Sequence, residues 1–245
     1  MINIDLLAFE RDDFHFSIKK LHVDQNEKIA ILGENGSGKS TLFYLLAGLL
    51  KDSKGSIKYN KIPLGKIPIL ERARLFSFLP QYSYIIFPFT VMEIVLLGAL
   101  WENYNFKMEI SKNEMYDIDA MLQTLDIYNI KDKKWTELSG GEKRRVMIAR
   151  VLNQNTDIIY FDEPTNMLDI RHSLKILCYI LSLNKTIIAS IHDINLAYKY
   201  FDRFILLKKG KILADIKREG LNEKIINEGF DVKTCLNDGT FSFDI

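Results

Sequence analysis

Cysteine is scarce in this chain of 245 residues, which contains only Cys178 and Cys235. The two lie far apart and lack the close spacing of metal-binding cysteines, so the sequence excludes a disulfide scaffold and a cysteine-rich zinc site. We expect both side chains to be reduced, buried and chemically inert.

An excess of charge and a long apolar run are also missing. The 33 basic residues balance 32 acidic ones, and the net charge of +1 gives no electrostatic basis for binding nucleic acid or anionic lipid. The most apolar window, VMEIVLLGAL at 91–100, is half the ~20 residues that a spanning helix needs, and it contains Glu93. The start, MINIDLLAFERDD at 1–13, lacks the charged head and apolar run of a signal peptide, so we do not expect it to act as one. We therefore expect a cytoplasmic protein that reaches a membrane only through a partner.

Three short runs are apolar on both faces, which is typical of central parallel strands covered by helices. They are KIAIL at 28–32, DIIYF at 157–161 and TIIASI at 186–191. Other segments alternate or lie beside turns and predict antiparallel strands. These are DFHFSI at 13–18, GSIKY at 55–59, a hairpin at 203–216 around Lys209-Gly210, and a turn at 237–239.

The helical pattern is divided between two regions. After Lys39, Leu42, Leu45, Leu46 and Leu49 are spaced to form one helix face. Residues 83–149 begin rich in aromatics and then turn polar and helix-forming, which predicts an inserted helical lobe. We expect a catalytic core over about 1–82 and 150–216, this lobe, and a short C-terminal extension over 217–245, all within one domain.

The stretch GENGSGKST at 33–41 matches G-x-x-x-x-G-K-[ST] between an apolar strand and an amphipathic helix. Its glycines let successive backbone N–H groups face one anion, and the helix N-terminus adds partial positive charge. Lys39 supplies a full charge for the outer phosphates, and Ser40 offers a hydroxyl to Mg²⁺. The predicted nucleotide-binding residues here are Gly33, Asn35, Gly36, Ser37, Gly38, Lys39, Ser40 and Thr41.

Two carboxylates end the second apolar run, in IIYFDEP at 158–164. Asp162 can hold Mg²⁺ through a water, because Mg²⁺ prefers oxygen ligands and keeps several waters. Glu163 can then orient the water that attacks the γ-phosphate and act as its base.

Two further polar residues follow predicted strands. His192 ends the third apolar run and can hydrogen-bond a γ-phosphate oxygen. Gln81 follows LFSFL and offers an amide oxygen to Mg²⁺ or to the attacking water. The carboxyl ends of parallel strands share one sheet edge, so we expect these side chains to meet there. The remaining histidines, His15, His22 and His172, are expected to be surface or packing residues.

A second glycine turn precedes a helix in LSGGEKRRV at 138–146. Ser139, Gly140 and Gly141 form an anion-binding helix start that lacks a lysine. One nucleotide does not need two phosphate-binding loops. We therefore predict that this loop completes the site of a second copy, with two ATP molecules between twofold-related chains. Glu142 also predicts a capping box with Ser139, which is compatible with that role. We expect 143–145, KRR, to be a solvated helix face.

Together these motifs resemble the ATP-binding subunit of ABC transporters, over nearly the whole chain and in the family's order. GENGSGKST resembles the Walker A loop, Gln81 the Q-loop, LSGGE the signature, IIYFDE Walker B, and His192 the H-loop. Residues 167–169, MLD, resemble the D-loop, which implies that Asp169 contributes to the site. The resemblance implies an α/β fold, a P-loop NTPase core of ABC type with an N-terminal antiparallel β subdomain and an inserted helical subdomain. It also implies ATP and Mg²⁺ as cofactors.

An aromatic ring that stacks on adenine is a further implication. Phe9 lies at about the family's distance before Lys39, and Phe14 is the alternative. Two residues depart from the common pattern. Glu142 stands where many members have Gln, and Glu34 stands where Pro is frequent. Neither change is expected to impair the site.

A narrower likeness is carried by DEPTNMLDIRHSLKIL, HDINLAYKYFDRFILL and TVMEIVLLGAL. They are similar to the ATPases of importers for iron–siderophore complexes, haem and cobalamin. That likeness implies a dimer of this chain at the cytoplasmic face of the membrane, two permease subunits, and a substrate-binding protein in the complete system. The aromatic segment YSYIIFPF at 82–89 would grip the permease, although some of it would be lobe core. The alternatives are an exporter ATPase, a soluble ABC ATPase and a P-loop kinase.

Overall fold

A ten-stranded sheet forms the centre of the computed structural model, which describes residues 1–51, 54–99, 111–237 and 239–244. The strands follow the order β5-β4-β1-β2-β10-β9-β3-β8-β7-β6 across the sheet. Their bounds are β1 (Ile2–Arg11), β2 (Phe14–Val23), β3 (Lys28–Leu32), β4 (Lys54–Tyr59), β5 (Ile62–Pro63), β6 (Phe76–Leu79), β7 (Ile158–Asp162), β8 (Thr186–Ser190), β9 (Arg203–Lys208) and β10 (Lys211–Lys217). A separate hairpin consists of β11 (Lys233–Asn237) and β12 (Thr240–Asp244).

Five neighbouring strands, β9, β3, β8, β7 and β6, pair in parallel. β7 and β8 are buried along their whole length, as their apolar runs predicted. The predicted parallel core is confirmed. Its carboxyl edge is where Leu32, Leu79, Asp162 and Ser190 end their strands.

The antiparallel strands are confirmed as well. β1 pairs with β2 and β4, and β2 buries Phe16 and Ile18 while Phe14 is half-buried. β9 and β10 form the predicted hairpin, with Lys209 and Gly210 at its turn, both at positive φ. β11 and β12 also pair, although Asp238 of the turn between them lies outside the described residues.

Eight α-helices occupy the described part of the chain. They are α1 (Lys39–Leu46), α2 (Ile69–Leu75), α3 (Val91–Leu96), α4 (Lys112–Thr124), α5 (Gly140–Asn153), α6 (Ile170–Ser182), α7 (Ile194–Tyr200) and α8 (Glu223–Phe230). Capping boxes fix the starts of α3, α4 and α5, with Thr90, Ser111 and Ser139 as N-caps. Each box satisfies two backbone N–H groups that the helix leaves unpaired.

Apolar side chains pack on both faces of the sheet. One cluster joins α1 to antiparallel and parallel strands alike, through residues such as Phe16 of β2, Phe43 of α1 and Tyr160 of β7. The other joins α3, α4 and α5 to the opposite face through Val91, Leu122 and others. Full burial of a leucine-sized side chain stabilises by about 1.5–3 kcal/mol, so each layer is firmly attached to the sheet.

Helices α3, α4 and α5 lie between β6 and β7, where the sequence predicts an inserted helical lobe. However, α5 runs to Asn153, across the predicted boundary at residue 149, and residues 100–110 of the lobe lie outside the described part. The division into core, lobe and C-terminal extension stays a prediction.

Two expectations about apolar residues are wrong. Leu49 lies beyond the end of α1 and is 63% exposed, because the helix stops at Leu46. Cys178 and Cys235 are both exposed. In α6 the buried face is formed by Ile176, Leu177 and Ile180, and Cys178 points away from it.

None of the helices in the described residues is long and apolar enough to cross a membrane.

Candidate functional site

The glycine-rich loop at 33–41 connects the end of β3 to the start of α1. Gly33, Gly36 and Gly38 all have positive φ, a conformation that side chains disfavour. At Gly33 a Cβ would lie 2.3 Å from the carbonyl oxygen of Leu207, so only glycine fits against β9. The N–H of Gly210 donates to the Ser37 carbonyl at 3.0 Å, so the turn of the β9–β10 hairpin supports the loop through a hydrogen bond.

Lys39 is buried at the first position of α1. Its Nζ donates to the carbonyls of Gly33 at 2.7 Å and Glu34 at 2.9 Å, both inside its own loop. Burial lowers its pKa, and the carboxylates of Glu163 and Asp162 act in the opposite direction. The ammonium is therefore already held within its own loop.

Asp162 is buried at the end of β7, and its oxygens differ in their surroundings. Oδ1 accepts a hydrogen bond from the hydroxyl of Ser190 at 2.7 Å. Within the described residues Oδ2 is buried and has no hydrogen-bond partner. A buried unpaired carboxylate oxygen is costly, which indicates that a ligand completes this position.

Glu163 follows at once and has an unusual backbone, with φ at +54°. Its Oε1 lies 2.6 Å from Nε2 of His192. Its Oε2 accepts hydrogen bonds from the amides of Gln81 at 3.0 Å and Asn166 at 3.3 Å. Three side chains from separate loops therefore fix the direction of this carboxylate. The meeting of Gln81, Glu163 and His192 at one sheet edge is the arrangement that strand order predicted.

Asn166 was missed in the sequence. It reaches Glu163 through a tight turn in which its N–H also donates to the Glu163 carbonyl at 3.0 Å. The Pro-Thr-Asn sequence after the carboxylates signals such a turn.

Arg144 contradicts the expected solvated face at 143–145. It is only 6% exposed, and Nε of its guanidinium donates to the Pro164 carbonyl at 3.5 Å. Nη1 and Nη2 donate to four further main-chain carbonyls. These belong to Asp162 (2.5 Å), Glu163 (2.7 Å), Pro80 (2.9 Å) and Gln81 (3.2 Å). Burial lowers its pKa to about 10, while Asp162 and Glu163 oppose the shift. The side chain stays charged at neutral pH and links α5 to the loops that follow β6 and β7.

The second glycine turn starts α5. Ser139 is the N-cap, and its hydroxyl accepts from the Glu142 N–H at 3.3 Å while Glu142 accepts from the Ser139 N–H at 2.8 Å. These bonds lower the pKa of Glu142 and confirm the predicted capping box. The turn is on the surface, and a Cβ at Gly140 or Gly141 would lie nearest to atoms of Met167. Its neighbour in the same chain is thus the segment at 167–169 rather than the phosphate loop.

Asp169 is the N-cap of α6, where it accepts from the His172 N–H at 2.8 Å and pairs with His172 Nδ1 at 2.7 Å. These hydrogen bonds lower the pKa of Asp169. His172 also lies 3.9 Å from Asp126. A structural role for His172 agrees with expectation, and the contribution of Asp169 to nucleotide binding stays a prediction.

The two aromatic candidates occupy different positions beside the loop. Phe9 lies opposite Phe16 in the β1–β2 ladder. The ring of Phe14 comes within 3.3 Å of a Cβ placed on Gly38, so Phe14 borders the phosphate loop directly. Both rings are half-buried, and which of them stacks on adenine stays a prediction.

Comparison with known proteins gives consistent results. Residues 17–166 match the family model described as ABC transporter. The chain is 30% identical to the petrobactin import ATP-binding protein FpuC of Bacillus anthracis, over 98% of this chain and 90% of that protein. It is 33% identical to the hemin import ATP-binding protein HmuV of Rhodopseudomonas palustris, over 88% of this chain and 82% of that one. The solved dimeric structure of the ATP-binding cassette MJ0796 with ADP and Pi superposes with a TM-score of 0.77. It is 27% identical, over 90% of this chain and all of that one.

Proposed function

The chain belongs to the ABC transporter family, and on this basis we propose that it is the ATP-hydrolysing subunit of an importer for a metal chelate. The observation that carries the hydrolytic role is the Glu163 carboxylate, which Gln81, Asn166 and His192 hold at the strand edge beside the phosphate loop. The metal-chelate class comes from the relatives, whose names are petrobactin import and hemin import ATP-binding proteins.

In the proposed reaction, the loop N–H groups and Lys39 bind the phosphates of ATP. Glu163 accepts the proton of the attacking water, and His192 is placed to donate a hydrogen bond to the γ-phosphate. The cation at Lys39 and the helix dipole of α1 stabilise the negative charge that develops on the transferred group. Since Gln81 donates its amide N–H to Glu163, its amide oxygen is left for Mg²⁺ or the attacking water.

The residues present fit Mg²⁺. Asp162 presents a buried oxygen without a hydrogen-bond partner in the described structure, and Ser40 and Gln81 supply the hydroxyl and amide oxygens of a hard-cation site. When bound, the ion neutralises charge on the phosphate oxygens. Asp162 would hold it, and Ser190 keeps the other carboxylate oxygen occupied.

A second copy of the chain is proposed to complete each site. Ser139, Gly140 and Gly141 expose a helix N-terminus that does not face the phosphate loop of its own chain. The related MJ0796 cassette forms a dimer with ADP and Pi. We propose that this turn contacts the γ-phosphate held by the partner, so that ATP binding closes the dimer and hydrolysis opens it.

Mixing two inactive variants tests the composite site. Lys39→Met removes the phosphate cation, and Gly140→Asp places a negative charge at the second turn. At Gly140 the nearest atom to a new Cβ is 3.5 Å away, and aspartate suits a first helical turn, so α5 should still form. Each variant alone should be inactive. Random pairing then leaves one intact site in the mixed dimers, so the mixture should recover roughly one quarter of wild-type phosphate release.

The matched controls are Lys39→Met alone and Gly140→Asp alone, each at the total protein concentration of the mixture. If the mixed sample released no more phosphate than these, each site would be contained in a single chain and the proposed dimer would be wrong.

The permease is proposed to dock on the segment 82–89. Tyr84 is 87% exposed and Ile86 is 90% exposed, while Ile85 and Phe89 of the same segment pack into the core below. Exposed apolar residues clustered beside a catalytic loop are typical of a protein-binding surface. Attachment there would place the chain at the cytoplasmic face of the membrane, and a substrate-binding protein would deliver the chelate.

Ile86→Glu should separate docking from catalysis. Because the side chain is nearly fully exposed, the variant should unfold like wild type and keep the ATPase activity of the isolated chain. Co-purification with the membrane subunit should fall by ~10-fold or more, since a buried charge would lie in the interface. Tyr116→Glu, at an exposed position of α4, is the control. Equal loss in both variants would argue against this docking surface.

The direction and class of transport are tested with the assembled complex in vesicles. Uptake of haem or an iron–siderophore complex that depends on ATP and on the loaded binding protein would support the proposal. ATP-driven movement in the opposite direction would support the exporter alternative.

A further inference from the structure

Ser190 is a buried hydroxyl that takes no direct part in the reaction described above. It is the last residue of β8, has 0% exposure, and is the parallel register partner of Asp162. Its side chain therefore lies beside the first carboxylate, two residues before His192. Nothing in the apolar run TIIASI marks it as functional.

The hydroxyl makes two hydrogen bonds of opposite sense. It donates its one proton to Asp162 Oδ1 at 2.7 Å, and its oxygen accepts the N–H of Glu163 at 2.8 Å. A serine hydroxyl has a single donor, so the direction of both bonds is fixed once the carboxylate is ionised. The two carboxylate residues are thereby connected through one side chain.

The bond to Glu163 has a specific structural reason. Glu163 has φ at +54°, a left-handed conformation that is unfavourable for a residue other than glycine. The β7–β8 ladder ends at Asp162 and Ser190, so the N–H of Glu163 takes a side-chain acceptor in place of a strand carbonyl. That acceptor stabilises the turn that directs the Glu163 side chain toward Gln81 and His192.

We infer that Ser190 is the positioning residue of this site, because its single hydroxyl orients the Asp162 carboxylate toward the metal and sets the backbone of the base Glu163. By occupying Oδ1 it leaves Oδ2 as the oxygen available to Mg²⁺. This inference rests on the proposed function, since it concerns the same Mg²⁺ and ATP site.

A buried serine can also be a structural group whose only role is a satisfied hydrogen bond. The chain provides a matched example in Ser77, which is 1% exposed on β6 and accepts a hydrogen bond from Thr156 at 3.0 Å. Ser77→Ala removes the same atom from a neighbouring region of the sheet without touching a catalytic loop. It therefore measures the cost of a buried hydroxyl alone.

The test measures how much Mg²⁺ strengthens nucleotide binding to the full-length chain. The dissociation constant of a fluorescent, non-hydrolysable ATP analogue is determined once with Mg²⁺ and once with EDTA for wild type, Ser190→Ala and Ser77→Ala. In EDTA all three should bind alike, because the phosphate loop is intact. The dissociation constant in EDTA divided by that in Mg²⁺ measures how much the ion strengthens binding. This ratio should fall ~10–100-fold in Ser190→Ala, as metal affinity does when the hydrogen-bond partner of a metal-binding carboxylate is removed. It should stay at the wild-type value in Ser77→Ala.

Two further measurements separate positioning from folding. At saturating Mg²⁺, Ser190→Ala should lower kcat while the KM for ATP changes little, because Glu163 loses its backbone hydrogen bond. Ser190→Cys keeps a weak donor of similar size and should give an intermediate Mg²⁺ ratio.

A Ser190→Ala ratio equal to that of Ser77→Ala, with unchanged kcat, would overturn the inference while leaving the proposed ATPase intact. If wild type bound no nucleotide in either buffer, the proposed function itself would fail and this inference with it.

Discussion

Glu163→Gln should bind ATP as tightly as wild type and hydrolyse it about 10²–10⁴ times more slowly, because removing a general base typically costs that factor. The amide has the size of the carboxylate, but it cannot accept a proton from water. It also carries an N–H₂ group beside the donors His192, Gln81 and Asn166. Single-turnover phosphate release measures the rate, and light scattering with ATP should show a dimer that persists.

Glu114→Gln is a suitable control for this change. Glu114 completes the capping box at the start of α4, where its carboxylate also accepts hydrogen bonds. The control therefore makes the same substitution in a hydrogen-bonded carboxylate outside the site. It should hydrolyse ATP normally. Full turnover by Glu163→Gln would remove Glu163 from the base role, whereas failure to bind ATP would indicate a disrupted loop.

Arg144→Met is expected to have the largest effect on stability. Four main-chain carbonyls at the sheet edge would lose a charged donor in a site that is nearly inaccessible to water. An unsatisfied buried acceptor costs about 1–3 kcal/mol, so the free energy of unfolding should fall by about 3–5 kcal/mol even if some of the carbonyls find water. Denaturant titration measures the loss, and ATP hydrolysis should fall with it.

Arg171→Met tests the same replacement at an exposed position of α6 and should change the unfolding free energy by less than ~0.5 kcal/mol. Arg144→Lys keeps the charge but cannot reach four carbonyls with one ammonium, so it should lie between wild type and Arg144→Met. Similar stability in the two methionine variants would show that Arg144 is not a structural link.

Most of the fold was predictable because apolar runs and glycine turns are local signals. The runs at 28–32, 157–161 and 186–191 became neighbouring parallel strands, and strand order then brought their end residues together. The family likeness rests on the same loops. Gln81, Glu163 and His192 follow such strands and meet for this reason, while their roles in the site stay a prediction.

Arg144 was misjudged although a signal existed. Arg144, Ile148 and Val151 are spaced to share one face of α5, and all three are buried. The three charged residues at 143–145 suggested a solvated face, although the helical spacing of Arg144 suggested a buried one. In the folded chain, main-chain carbonyls supply the partners that make burial of the cation possible. Position along the helix was the better guide.

Ser190 and Asn166 could not be found from the sequence. Their roles depend on register between strands and on the tight turn after Pro164, which place a hydroxyl and an amide within 3.3 Å of the carboxylate residues. The expectation that both cysteines are buried was wrong for a similar reason. In β11, Thr234 is buried and the alternation of the strand turns Cys235 outward.

The position of β3 has a consequence for biosynthesis. This strand carries the phosphate loop, yet its hydrogen-bonding partners on either side are β8 and β9, which are translated some 150 or more residues later. Gly210, which donates a hydrogen bond to the loop at Ser37, is translated later still. At about 5–20 residues per second, a ribosome needs roughly 8–30 s to add this stretch. The nascent chain therefore holds its nucleotide-binding sequence early but can assemble the nucleotide-binding structure only after Gly210 has been added.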